Sequence, residues 1–245
     1  MISDWDNYQL GDILDLSRQS PADFIDEIKM EYIRPYLPLE GTILEVGAGS
    51  GRLLTRIGLE HRDAYKLIGL DYAPSSVKII KANMDAHNLN GESILGVVRD
   101  IQLPDNSVDM ICSGGLLEHF DLDTINDVLK EMCRVLKPGG LFYADIVPKK
   151  MSLCRLIIRE DAGGYENSFS MDVWSELLLK NQFYILEMFS GLIIPPKFYG
   201  KWTGQKRIKF MYKHKDFIKS LDNTFLSDLL GFAYFVFARK GGGIK

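Results

Sequence analysis

The run Ile43-Leu-Glu-Val-Gly-Ala-Gly-Ser-Gly-Arg-Leu-Leu54 constrains this chain more than any other stretch. A short apolar strand, Thr42–Val46, runs straight into Gly47-x-Gly49-x-Gly51, and a helix is predicted from about Gly51. Glycines let the backbone turn sharply and approach a ligand with no Cβ in the way. The helix beyond presents N–H groups that have no intrahelical partner. Dinucleotide-binding turns read Gly-x-Gly-x-x-Gly, the last glycine allowing tight helix–strand packing. That last position is Arg52 here. The spacing therefore favours a ligand without a pyrophosphate and disfavours a nicotinamide-dependent dehydrogenase. Glu45 sits inside the apolar strand, where an unpaired charge is costly. Either a ligand ammonium group or the N–H donors of the glycine loop would account for it.

The rest of the chain repeats the strand–helix alternation. Ser20-Pro21 reads as a helix N-cap and first helical position, with Phe24, Ile25, Ile28 and Tyr32 on one face. Strands are predicted at Lys66–Leu70, Ser93–Val98, Val108–Ser113 and Leu141–Val147. Helices are predicted from Pro74 to about His87 and over Leu122–Leu136, the latter stopped by Lys-Pro-Gly-Gly at 137–140. Nearly all-apolar strands alternating with helices imply a parallel sheet covered on both faces. Beyond 147 the alternation loosens. Residues 151–169 read as an inserted helix and loop, and Ser170 as the cap of a helix through Lys180. Phe183–Ser190 and Gly231–Arg239 read as an antiparallel pair at the sheet edge, separated by an insertion over 191–230. Gly241–Gly243 is a flexible tail.

Asp71 ends the second strand about 20 residues after the glycine turn, where a nucleoside-binding fold puts the acid that accepts from ribose hydroxyls. Tyr72 beside it offers a ring face to an adenine. Asp100 follows the third strand and can accept from an adenine amino group, with Ile101 packing on the ring. The net charge of −4 argues against a broad nucleic-acid footprint. Cys112, Cys133 and Cys154 lack metal-ligand spacing and read as reduced thiols of a cytoplasmic protein, and no metal site is expected. The acidic, polar opening is not a signal peptide, and no apolar run suffices to span a membrane.

Taken in order, Ile43–Leu54, Gly69-Leu-Asp-Tyr72, Asp100-Ile-Gln-Leu-Pro104, Val108–Phe120 and Arg134-Val-Leu-Lys-Pro-Gly-Gly-Leu141 resemble the class I S-adenosylmethionine-dependent methyltransferases. The wording of Leu-Leu-Glu-His and Arg-Val-Leu-Lys-Pro-Gly-Gly leans toward the branch acting on small molecules, quinone precursors and lipids. The likeness covers about residues 40–147 and is weaker at 170–190 and 231–240. One departure is Asn181, where relatives usually carry glycine; asparagine is the second choice for the left-handed position after a helix. The resemblance implies a single α/β domain. It has a Rossmann-like, mostly parallel seven-stranded sheet with an antiparallel edge strand and helices on both faces. An N-terminal helical lid spans 1–38, a cofactor-binding core 39–147, and a substrate-side half 148–240 with a cap insertion between the last two strands.

It further implies that S-adenosylmethionine is bound and S-adenosylhomocysteine released. Gly47, Ala48, Gly49, Gly51 and Ser113 would surround the methionine moiety, with Glu45 holding the loop. Asp71 and Tyr72 would serve the nucleoside, and Asp100 and Ile101 the adenine. Tyr8 would fold over the cofactor. His119 follows the fourth strand, where the methyl group should point, and is the first candidate for a base; Glu118 is the alternative, unless it forms a surface salt bridge. Methyl transfer to O, N or C of a small-molecule acceptor is the first expectation. Non-methyl chemistry that releases methylthioadenosine, and a non-catalytic binding module, are the alternatives.

Residues 197–219 interleave seven lysines, an arginine and aromatic residues, with Asp216 opposing. They read as a cap with aromatics inward and lysines solvated, suited to an apolar or ring-bearing acceptor. An anionic substrate and peripheral contact with a membrane surface are the other readings, and nucleic acid is disfavoured because the basic stretch is confined to this segment.

Overall fold

A computed structural model describes residues 13–17, 19–147, 165–193 and 204–241. Its centre is a seven-stranded sheet in the order β3-β2-β1-β4-β5-β7-β6. The strands are β1 (Gly41–Val46), β2 (Tyr65–Asp71), β3 (Gly91–Leu95), β4 (Val108–Gly114), β5 (Leu136–Ile146), β6 (Phe183–Gly191) and β7 (Ala233–Lys240). The first five pair in parallel, and β7 runs antiparallel between β5 and β6. Strand order reverses at β1, whose neighbours are β2 and β4. The carboxyl ends of these strands form the crevice in which such sheets bind ligands.

Helices α1 (Pro21–Ile33), α2 (Arg52–Glu60) and α3 (Pro74–Ala86) cover one face, and α4 (Leu122–Val135) and α5 (Met171–Lys180) the other. The two-residue period of a strand sorts the side chains between these layers. In β1, Leu44 and Val46 join the α4–α5 core, while Ile43 joins the α1–α2 core. In β5, Phe142, Ala144 and Ile146 take the first side, and Leu141 and Tyr143 the second. Glu45 and Asp145 share the parity of Ile43 and Tyr143, so two carboxylates are aimed at α1.

The caps follow local chemistry. Ser20 and Asp23 form a reciprocal capping box at the start of α1, with Pro21 in its first turn. Ser170 accepts from Val173 N to open α5. The third strand is Gly91–Leu95, earlier than the predicted Ser93–Val98. A tight turn bridging Val97 and Asp100 takes the residues after it out of the sheet. Lys137–Gly140 does not separate helix from strand. It forms the irregular start of β5, where the register against β4 shifts. Asn181 is not left-handed; Gln182 takes that conformation at φ 66°. Asn181 is instead buried, and its side chain donates to Leu177 O at 2.8 Å and Asn126 at 3.1 Å.

Within the insertion lie α6 (Gly204–Lys213), α7 (Lys215–Ser220) and α8 (Phe225–Leu230). The α6–α7 pair docks on α1. Met211 and Ile218 enter the α1–α2 core, and the Tyr212 ring meets Phe24 edge-on at 5.4 Å. Tyr32 donates to Asp222 at 2.6 Å, and Asp222 in turn accepts from Leu192 N at 3.0 Å. The expected helix over 151–169 lies mostly outside the described residues. Among the described residues, no helix is long and apolar enough to cross a membrane.

Candidate functional site

A cavity of about 500 Å³ opens at the carboxyl ends of β1, β2 and β4. That is within the range of small-molecule sites, about 300–1,000 Å³. The glycine turn forms its floor. Gly47 and Gly49 line it with φ of 63° and 54°, a conformation that suits glycine and strains other residues. A Cβ on Gly47 would come within 2.8 Å of Leu116. Gly51 is also left-handed, but its constraint is packing: a Cβ there would meet Ile80 at 3.1 Å, and Gly51 does not line the cavity.

Asp71 holds the turn closed. Its carboxylate accepts from Gly49 N at 2.8 Å and Ala73 N at 3.0 Å, and it borders the cavity with oxygen lone pairs to spare. Tyr72 and Ala48 line the same wall, Tyr72 being 40% exposed and so open to a ligand face. Beyond β3 the lining is Val97, Val98 and Arg99. Asp100 and Ile101 stand outside it. Asp100 is exposed and accepts from Gln102 at 2.7 Å, while Ile101 is buried in the α4–α5 core with its N–H on Glu131 at 2.7 Å. The sharp turn at 97–100 brings Val97, Val98 and Arg99 to the cavity wall and leaves Asp100 exposed directly beside it.

Glu45 is buried and accepts from Leu54 N at 3.1 Å, bracing the first turn of α2. Burial pushes its carboxyl up to about 8, against the pull of that bond and of the nearby Lys29 charge. Lys29 reaches in from α1 and pairs with Asp145 at 2.7 Å, and Tyr143 donates to the other Asp145 oxygen at 3.1 Å. Burial lowers the Lys29 pKa, but the Asp145 carboxylate outweighs it and holds the ammonium above the usual lysine range. Lys29 and Glu45 both line the cavity, so one end of it carries a fixed cation and a buried acid. Asp23 and Asp26 clamp Arg52 at 2.5 Å and 2.7 Å and Arg56 at 2.9 Å and 3.3 Å, tying α1 to the start of α2. Sequence reasoning missed Lys29, Asp26 and Asp145. The available signals were a polar residue in an otherwise apolar strand and its parity with Glu45.

Ser113, next to last in β4, has its hydroxyl buried and without a hydrogen-bond partner among the described residues. It lies next to the cavity-lining Gly114. His119 borders the cavity, half exposed, with Nδ1 3.1 Å from the Tyr165 carbonyl. Glu118 is not at the surface, and among the described residues it forms no salt bridge. It is 2% exposed, Oε1 accepts from Val147 N at 3.1 Å, and Oε2 has no partner. Burial first, then the Asp145 charge, raises its carboxyl to about 8. It does not line the cavity. Tyr8 lies outside the described residues.

These raised carboxyls predict how stability depends on pH. Both rise from an ordinary 4.5 to about 8, so across that window the folded chain holds more protons than the unfolded one. Stability therefore falls as pH rises from about 5 through about 8. Glu45→Gln is expected to flatten that slope, which thermal melts across the window would measure; an unchanged slope would remove Glu45 from the effect.

Residues 43–140 match the family profile of a methyltransferase domain. The chain is 28% identical over 144 residues to phosphoethanolamine N-methyltransferase 3 of Arabidopsis thaliana, covering 57% of this chain and 29% of that protein. It is 31% identical over 119 residues to a ubiquinone/menaquinone biosynthesis C-methyltransferase of Rickettsia massiliae, covering 46% of this chain and 47% of that protein. The chain thus spans less than half the length of these relatives. Among solved structures, a SAM-dependent methyltransferase from Methanosarcina mazei superposes with a TM-score of 0.60 at 17% identity, covering 86% of this chain and 97% of the other. Geranyl diphosphate C-methyltransferase from Streptomyces coelicolor, solved with Mg2+, geranyl diphosphate and S-adenosyl-L-homocysteine, superposes with a TM-score of 0.64 at 12% identity, covering 96% and 94%. At such identities these two superpositions speak for the fold.

Proposed function

We propose that this chain, whose residues 43–140 match the profile of a methyltransferase domain, is a class I methyltransferase and binds S-adenosylmethionine in the cavity above the glycine turn. It would transfer a methyl group to an O, N or C atom of a small-molecule acceptor, leaving S-adenosylhomocysteine. The observation that carries the reading is the order of chemistry along the sheet. The Lys29 cation and the Glu45 acid lie by β4 and β1, the Asp71 carboxylate ends β2, and the apolar Val97 and Val98 follow β3. Adjacent strands are about 4.8 Å apart, so these zones spread over roughly 14 Å. An amino acid, a ribose and an adenine joined in line need a charged, a carboxylate and an apolar zone in that sequence.

When bound, the cofactor supplies a methyl group already activated by its sulfonium. The chain has to hold, align and dehydrate. Lys29 would meet the amino-acid carboxylate. Gly47 and Gly49 would let the backbone lie close, while Asp71 accepts from ribose hydroxyls through the lone pairs left by its loop bonds. The unpartnered Ser113 hydroxyl next to Gly114 offers a hydrogen bond near the methionine end. His119 is in place at the cavity rim to take a proton from an acceptor that must lose one. Asp100 and Ile101 would act indirectly, shaping the turn that presents Val97 and Val98.

The direct test of binding is calorimetric titration of the full chain with S-adenosylhomocysteine. A single site is expected, weakened at least tenfold by Asp71→Ala, and no heat from the wild type would end the reading. For His119→Ala, a loss of turnover of about a hundredfold with little change in cofactor affinity is expected if a base is used. Full activity would retire it from that role.

A further inference from the structure

The helices of the insertion sort their charges by direction. Lys215 and Lys219 turn toward α1, where they pair with Glu31 at 2.6 Å and 2.7 Å, and Lys219 also lies over the Tyr32 ring at 5.1 Å. Their charge is paired at the partly exposed junction of α7 with α1. Lys206, Lys209 and Lys213 instead occupy one exposed strip of α6 together with Phe210, at the i, i+3, i+4 and i+7 positions of a helix. The strip continues onto α7. His214 itself interrupts the helix at φ −113° and ψ 23°, but its N bonds to Phe210 O at 3.0 Å and Ile218 N bonds to its O at 2.9 Å; beyond the junction Phe217 is exposed beside the exposed Asp216. Phe217 is 64% exposed and Phe210 37%. Among the described residues the expectation of aromatics inward and lysines solvated holds for Tyr212 and for Lys206, Lys209 and Lys213, while Phe210 and Phe217 are exposed and Lys215 and Lys219 are paired on α1; Phe198, Tyr199 and Trp202 lie outside the described residues.

We propose that this strip binds the surface of an anionic lipid bilayer. Lysine stems can lie along the headgroups while their ammonium groups meet lipid phosphates, and the phenylalanine rings between them reach the headgroup–acyl boundary. The charge pattern selects such a partner. The chain as a whole carries −4, so attraction to an anionic surface has to come from a local concentration of cations such as this one. Phe217 stands well exposed, while Phe210 leans on the His214 ring at 4.5 Å and a tilt of 47°, so the two phenylalanines do not form the flat platform on which bases stack. The proposal stands independently of the methyltransferase reading. If both hold, α1 links them: it carries Glu31 and Tyr32 under the strip and Lys29 into the cavity. An apolar acceptor dissolved in the bilayer would then be the substrate class the enzyme is placed to meet.

The test is sedimentation of the full chain with vesicles of phosphatidylcholine alone and of phosphatidylcholine mixed with phosphatidylserine. Binding to the mixed vesicles only, weakening as salt is raised, is expected. Each lysine near such a surface contributes about 1 kcal/mol, so the triple variant K206E/K209E/K213E should lower the partition about a hundredfold or more. Phe217→Ser should weaken it while leaving the salt dependence in place. All four positions are exposed, and an unchanged circular dichroism spectrum and melting temperature would establish that the variants fold. Equal binding to both vesicle types, or undiminished binding by the triple variant, would overturn the proposal. So would absence from both pellets, whether the chain self-associates through Phe217 or retards a nucleic-acid probe instead.

Discussion

Gly47→Val is expected to abolish binding of S-adenosylmethionine while leaving a folded chain. Two independent penalties fall on the same residue. The φ of 63° is strained for any β-branched side chain, a cost of order 1–3 kcal/mol. The new Cβ would also stand 2.8 Å from a Leu116 methyl, so the Leu116 side chain, the Gly47–Gly49 turn or both must shift. Both residues line the cavity, and whatever moves does so into the space the cofactor needs. A loss of at least a hundredfold in affinity is expected by calorimetry. Gly51→Ala is the informative contrast. It meets Ile80 away from the cavity, so it should lower stability with a smaller change in affinity. If Gly47→Val bound the cofactor as the wild type does, the turn would not be the floor of the site.

Asp145→Ala is expected to destabilise the fold by about 3–5 kcal/mol, because it leaves a desolvated ammonium without its partner. The Asp145 side chain is fully buried, and it anchors both Lys29 Nζ and the Tyr143 hydroxyl. Lys29 would then lose the charge that holds its pKa up, and burial would favour its neutral form. Removing both charges at once in Lys29→Met/Asp145→Leu should recover much of the loss, since a well-packed apolar pair often matches a buried ion pair. Urea unfolding of the two single variants and the double variant would give the coupling directly. Cofactor affinity separates the two roles of Lys29: the double variant should be stable yet bind poorly. Loss of less than about 1 kcal/mol in Asp145→Ala would show that water or another acid replaces the partner.

The reach of the sequence differs between sheet and site for physical reasons. The glycine turn, Asp71 and the strand–helix alternation are local patterns; the turn and Asp71 stand where the residues alone placed them, and the alternation holds in order although β3 and the start of β5 shift by a few residues. The parity of β1 and β5 was equally legible, and it explains why Glu45 and Asp145 point to the same layer. Lys29 was not, because its importance comes from a helix packing across the sheet onto a strand 116 positions later. Asp100 and Ile101 were assigned by their place after a strand. A tight turn four residues long, visible only once folded, also brings Val97 and Val98 to the cavity. Glu118 reads in sequence either as a base or as a surface salt-bridge partner. Its burial follows from Asn167, whose side chain donates to Leu117 O at 3.1 Å and Phe120 O at 3.0 Å and folds a distant segment over it.

Methyl transfer itself is best tested by incubating the chain with methyl-labelled S-adenosylmethionine and fractionated cell extract, following the label and the nucleoside product together. The account predicts that label passes to a small molecule or lipid fraction as S-adenosylhomocysteine accumulates, and that neither happens with Gly47→Val. Release of methylthioadenosine, or intact cofactor after incubation with every fraction, would contradict it.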